Sequence, residues 1–161
     1  MEDLFTVKVA VAASGDAEEK AKAFIKACVK SRKNYQGSGN PTMFMPEDLL
    51  TDCLLIEDGM GHPMYDTIEK LAARLRVKEI VAVPVMENQT RVGKDDQKTY
   101  TLGGIYVNLK DYNVGTNKGG EVNMFDDFDI DYNQYKYLME TRCSGTLVKP
   151  HAAVAIEFVA E

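Results

Sequence analysis

The hydrophobic period of this chain changes near residue 79, and that change restricts it to folds that set helices against a sheet. Upstream, apolar residues recur at helical spacing. Ala21, Phe24, Ile25, Cys28 and Val29 form one stripe of a helix expected from about Ala17 to Lys33, with Lys20, Lys22, Lys26, Lys30 and Arg32 on its other faces. Asp16, followed three residues later by Glu19, has the form of a capping box. Pro46 suits the first turn of a second helix, whose Leu49, Leu50, Cys53 and Leu54 repeat until Asp58 and Gly59 stop it. A third helix, about Thr67 to Arg76, would be buried through Ile68, Leu71, Ala72 and Leu75. Met43, Met45, Met60 and Met64 are expected to fill gaps in the core.

Downstream the spacing becomes that of strands. Glu79 to Met86 (EIVAVPVM) is nearly continuous in β-branched residues, as a strand covered on both faces would be, although Pro84 points to an edge or a bulge. Asn88 to Lys98 is polar and reads as a loop or hairpin tip. Further strands are expected at Thr99 to Leu109, Lys136 to Arg142 and Ala152 to Val159, with a loop from Gly115 to Gly120 and a turn at Gly145. At the other end of the chain, Leu4 to Ala12 alternates, with Val7, Val9 and Val11 on one face, and reads as a strand or an extended arm. Helices first and antiparallel strands later make the fold class α+β.

With 161 residues, 45% of them hydrophobic and 27% charged, the chain is sized for one domain with a moderate core, or for a piece of a larger protein. A formal net charge of −6 argues against broad binding to phosphate backbones, which needs clustered Lys and Arg, but it is compatible with enclosing nucleic acid. Cys28, Cys53 and Cys143 are widely spaced and odd in number, the pattern of reduced thiols in a cytoplasm. No apolar run reaches the length of a membrane span, and no signal peptide opens the sequence.

Four groups of residues invite a chemical reading. Asp127, Asp129 and Asp131 alternate like the start of a calcium loop, but Tyr132 and Leu138 occupy the positions where Gly and a bidentate Glu are required. In an extended run the aspartates leave one side while Phe128 and Ile130 leave the other. Gly37 and Gly39 flank Ser38 without the following Lys-Ser/Thr of a phosphate cradle, so that segment reads as a turn. Cys143 with His62 or His151 would need hydrogen-bond reach to act as a nucleophile and base, and each has a simpler place in a strand or turn. Glu140 and Arg142, two apart, share a strand face with Lys136 and Leu138. That face is either solvated or set against a neighbouring subunit, where Arg pairs bidentately with carboxylates.

Taken together, the run from Phe125 to Tyr137 (FDDFDIDYNQYKY), Glu140 to Gly145 and Lys149-Pro150 resembles the C-terminal part of tailed-phage and prophage major capsid proteins with the HK97-like fold. Tyr35 to Thr42, Leu54 to Gly59 and Leu71 to Val85 resemble the A-domain of that family, in order. The resemblance implies an HK97-like A-domain with helices packed on a mainly antiparallel sheet, plus part of the P-domain. Residues 1–16 would be an N-terminal strand or arm remnant, 17–132 the A-domain-like region, and 133–161 strands returning toward the P-domain. Family subunits carry an arm, an extended hairpin and a spine helix for which there is little room ahead of Ala17, so a piece of a longer subunit is expected.

The implied role is structural and non-enzymatic. Copies of the chain would assemble into capsomers and an icosahedral shell that encloses DNA without binding it specifically. Scaffolding or portal proteins would be further partners, with no cofactor, no metal and no membrane, assembly in a bacterial cytoplasm and residence in the virion. Arg91, Lys94, Asp95, Lys98, Glu140 and Arg142 are the candidate subunit-interface residues. Two alternatives are an encapsulin-like cargo shell and a small cation-binding domain using Asp127, Asp129 and Asp131.

Overall fold

The apolar stripe of the first helix sets how the sheet is covered. The computed structural model describes residues 4–13, 15–93, 96–116 and 122–159. Helix α1 (Ala17–Ser31) buries Ala21, Phe24, Ile25 and Cys28 and runs into a 3-10 turn at Arg32–Asn34. Val29, expected on that stripe, lies at its rim and is exposed. Asp16 does occupy the N-cap position, but its side chain makes no cap bond, and the Glu19 carboxylate lies against Gly15. The capping box is therefore not formed.

Helices α2 (Glu47–Leu54) and α3 (Ile68–Leu75) add Leu49, Leu50, Cys53, Leu71, Ala72 and Leu75 to the same core. Thr67 caps α3 by accepting the Lys70 N–H at 3.4 Å, and Arg76 closes it in the left-handed region at φ 58°. Ile68, by contrast, sits in the first turn of α3 and is exposed. Met43 and Met45 are wholly buried, whereas Met60 and Met64 stand out in the loop between α2 and α3 and fill no gap.

The strands are β1 (Thr6–Ala12), β2 (Thr42–Met45), β3 (Ile80–Ala82), β4 (Thr90–Val92), β5 (Thr99–Val107), β6 (Tyr112–Thr116), β7 (Asn123–Asp129), β8 (Gln134–Glu140), β9 (Cys143–Leu147) and β10 (Ala153–Val159). Six of them form one sheet in the order β1-β10-β5-β2-β3, with β4 also paired to β5. Pairings β1–β10 and β2–β3 are parallel and the others antiparallel. The last strand lies centrally because Ala153 to Ile156 is apolar and buried throughout, which suits a strand flanked on both sides. The run from Glu79 to Met86 is instead a three-residue edge strand followed by a 3-10 turn from Pro84, with Val81 and Val85 exposed. Proline cannot donate to a ladder, and here it ends one.

Close packing of α1 on the sheet depends on two glycines of β5. A Cβ on Gly104 would stand 2.5 Å from the Met43 methyl, and one on Gly103 would stand 2.8 Å from the Phe158 ring. Phe24 fills the space these glycines leave, its ring centroid 6.0 Å from that of Phe158. Gly103 is also the extra residue of a bulge, since Ile156 pairs with Gly104 and Glu157 with Leu102.

The chain divides into two compact units, residues 1–111 with 148–161, and residues 112–147. The boundaries differ from those expected at 16/17 and 132/133. β1 belongs to the same sheet as β10, and position 132/133 falls in the turn between β7 and β8.

Candidate functional site

Residues 112–147 form antiparallel pairs, β6 with β9 and β7 with β8. Gly115 and Thr116, expected in a loop, are part of β6, and Gly145, expected in a turn, pairs with Val114 inside β9. Residues 117–120 lie outside the described ones. The four residues from Ile130 to Asn133 close the β7–β8 hairpin, with Asn133 in the left-handed region at φ 48°, a conformation Asn tolerates better than most residues.

Strand alternation gives the β7–β8 ribbon two distinct faces. One carries the cross-strand pairs Phe125–Leu138, Asp127–Lys136 and Asp129–Gln134; the other carries Met124–Met139, Asp126–Tyr137 and Phe128–Tyr135. The second face is aromatic, with Phe128 and Tyr135 centroids 5.0 Å apart and Tyr135 stacked on Tyr137. Both faces are open. Phe125 is 55% exposed, Tyr137 62% and Met139 69%.

The three aspartates do not converge on a common point. Asp129 is ion-paired with Lys136 and accepts the Asp131 N–H at 3.1 Å, while Asp131 sits in the turn. Among the described residues there is no group of three or more His, Cys, Asp or Glu side chains able to hold a metal ion.

The candidate interface residues fall into separate places. Glu140 and Arg142 pair with each other, with N–O distances of 3.0 and 3.1 Å, at the exposed end of β8. Arg91 on β4 instead faces inward along the sheet. Its guanidinium forks onto Glu157 at 2.8 and 2.6 Å and lies 4.4 Å from the Tyr100 ring centre. The extra residue Gly103 shifts the alternation of β5, so that Leu102 lies opposite the buried Glu157 and Tyr100 opposite Arg91. Lys98 is exposed, its N–H donating to Asp96 at 3.3 Å and its carbonyl accepting from Gly93 at 2.8 Å. The Tyr100 hydroxyl donates to Asp96 at 2.5 Å; this bond is the main reason the Asp96 carboxyl titrates below, and the Tyr100 phenol above, the usual range. Lys94 and Asp95 lie outside the described residues.

The Gly37–Gly39 turn holds a carboxylate where a phosphate cradle would hold an anion. Asp111 accepts from the Ser38 N–H at 2.5 Å and from the Ser38 hydroxyl at 2.6 Å, and Lys149 stands 3.2 Å away. Burial pushes the Asp111 carboxyl up, but the two Ser38 bonds and the Lys149 charge outweigh it and hold it below the usual range. Val148 donates to the Asp111 carbonyl at 3.0 Å, so this cluster fixes the points where the chain leaves and rejoins the larger unit.

The thiols divide by environment. Cys28 and Cys53 are buried and Cys143 is exposed on β9. Burial pushes the Cys28 thiol up strongly and the Cys53 thiol to about 12, so neither ionises near neutrality. The buried Tyr106 hydroxyl faces the Cys28 thiol and has no well-formed hydrogen-bond partner among the described residues. His62 lies in a loop turn where Asp58 accepts the Met60 and His62 N–H groups, and His151 is held at φ 52° with its N–H bonded to Leu4.

One element escaped sequence reasoning. Lys26, Lys30 and Lys33 belong to what reads as a solvated helix face, yet with Val9, Ala10, Val11, Ala23 and Ala27 they line a groove beside β1. Helical spacing alone could have placed the lysines on one side of α1, but not the edge strand next to them.

No protein-family model matches the chain, and no curated protein matches it. Among solved structures, the capsid of an empty GTA particle matches 94% of this chain and 49% of its own, at 15% identity and a TM-score of 0.56. A virus-like particle from Pyrococcus furiosus matches 97% of this chain and 57% of its own, also at 15% identity, with a TM-score of 0.54. The class defined by these likenesses is the α+β fold of capsid-type shell proteins, the HK97-like fold. This chain has that fold, and it spans about half the length of the chains it matches.

Proposed function

We propose that this chain is a structural subunit, or part of one, of a phage or prophage icosahedral capsid that works by self-assembly and not by catalysis. The observation that carries the reading is a shell-protein fold extending over nearly the whole chain, joined to a ribbon whose apolar side chains have no cover of their own. A soluble protein seldom keeps such side chains together in the open unless something docks on them. In a shell, weak contacts repeat around closed symmetric rings and their sum is what holds.

The charge of −6 suits a wall that encloses DNA without gripping it. In this reading the larger unit meets its copies around capsomer axes. The strands from 133 to 147 serve peripheral contacts, the virion is the place of residence, and the bacterial cytoplasm is the place of assembly. Scaffolding or portal proteins would join during assembly. A shell of the same fold around protein cargo is the second reading. Sedimentation of the full-length gene product decides the main point: fast-sedimenting particles of uniform size are expected, and a population confined to monomers under all assembly conditions would remove the reading. Nuclease-protected DNA inside those particles, as opposed to packaged protein, separates the two kinds of shell.

A further inference from the structure

Among the described residues, the main sheet leaves one side of β1 open, since its only paired neighbour is β10. A row of unpaired backbone N–H and C=O groups is a template for an added strand, and proteins usually blunt it with proline, a bulge or several charges. β1 (TVKVAVA) has no proline, keeps unbroken register with β10 and carries a single lysine. Beside it lies a groove of about 410 Å³. Val9, Ala10 and Val11 all line this groove, and successive side chains of a strand point to opposite faces. The groove therefore runs along the strand edge and not over one face. Ala23 and Ala27 of α1 give it an apolar floor. Lys26 and Lys30 stand one helical turn apart on its rim, with Lys33 following in the 3-10 turn. None of the three lysines has an ion-pair partner among the described residues.

A basic rim over an apolar floor, next to an open strand edge, fits an extended segment that is both apolar and acidic. The chain itself contains one. β7 is seven residues long, as is β1, and among the described residues it pairs only with β8, which leaves its outer edge open too. Its one face presents Phe125, Asp127 and Asp129 in alternation, and Asp127 makes no ion pair among the described residues because Lys136 bonds Asp129.

We propose that β7 of one copy adds to the β1 edge of a second copy, seating Phe125 over Ala23 and Ala27 and Asp127 among Lys26, Lys30 and Lys33. Backbone bonds along the two edges supply affinity, and the alternate side chains fix register. The contact is heterologous, ribbon to groove, so it continues from copy to copy and closes into a ring where the rotation allows. It rests on the shell reading and names one of the contacts such a shell would use.

Sedimentation velocity of the 161-residue chain over a range of concentrations tests it. Wild type is expected to associate. Lys30→Glu alone and Asp127→Lys alone should each weaken association by about tenfold or more, and the chain carrying both should regain it. Phe125→Ala should weaken association while leaving the thermal midpoint unchanged, which separates loss of contact from loss of fold. Association insensitive to either reversal, or a double variant that stays dissociated, overturns this contact. A wild-type chain that stays monomeric at every concentration overturns it as well. The shell reading is judged apart from all of these, on particles from the full-length gene product.

Discussion

The two units of this molecule treat the same kinds of side chain in opposite ways. In the larger unit Phe24, Leu71, Tyr106 and Ile156 are wholly buried between three helices and a six-stranded sheet. In the ribbon Phe125, Ile130, Tyr132, Tyr137, Leu138 and Met139 are all exposed. The difference is architectural. A two-stranded ribbon has no second layer, so neither face can be covered from within it, and such ribbons are at best marginally stable alone. Side chains that contribute stability in one unit are available for contacts in the other.

Substitutions should separate the units cleanly. The largest effect is expected at the core: Phe24→Ala should lower unfolding free energy by about 3–5 kcal/mol, read by denaturant titration, because the ring sits against two glycines that leave nothing to collapse into its place. An intermediate loss of about 2 kcal/mol is expected for Gly104→Ala, whose methyl would meet Met43 and the Phe44 carbonyl. Arg91→Ala should cost about 2 kcal/mol by stranding the buried Glu157, and combining it with Glu157→Gln should cost less than the two single effects added.

Asp111→Asn should destabilise by about 1–2 kcal/mol and change the acid limb of stability. The folded carboxyl of Asp111 is depressed, so its contribution is present above the ordinary carboxylate range and is lost as pH falls through the folded value. The variant should therefore show a shallower decline in thermal midpoint on acidification. The smallest effect belongs to the ribbon: Tyr137→Ala should alter stability by less than about 0.5 kcal/mol, since its side chain is open to solvent. A loss comparable to Phe24→Ala would erase the contrast between the two units.

How far the sequence could be read follows from the same contrast. The helices were legible because Phe24, Leu71 and their neighbours recur at a period that only a helix satisfies. β8 was legible from its period of two, and β10 from an apolar run too short for a helix. Met60 and Met64 were misplaced because apolar character says nothing about which side of a loop faces the core. The run from Glu79 to Met86 reads as a buried strand, yet Pro84 cuts it at three residues. Asp16 and Glu19 have capping-box spacing, but no cap bond forms.

Interface residues were the hardest to choose. Arg91 looks like a free surface cation in the sequence, but the strand order brings Glu157, 66 residues downstream, within reach of it. The groove of Lys26, Lys30 and Lys33 depends on β1 being an edge, and strand order is a property of the whole sheet.

Electron microscopy of particles from the full-length gene product tests the central claim most directly. The expected result is closed shells in which the larger unit repeats around the capsomer axes and the ribbons span neighbouring copies. Dispersed single subunits under every assembly condition, or shells whose ribbons touch no other copy, would contradict it.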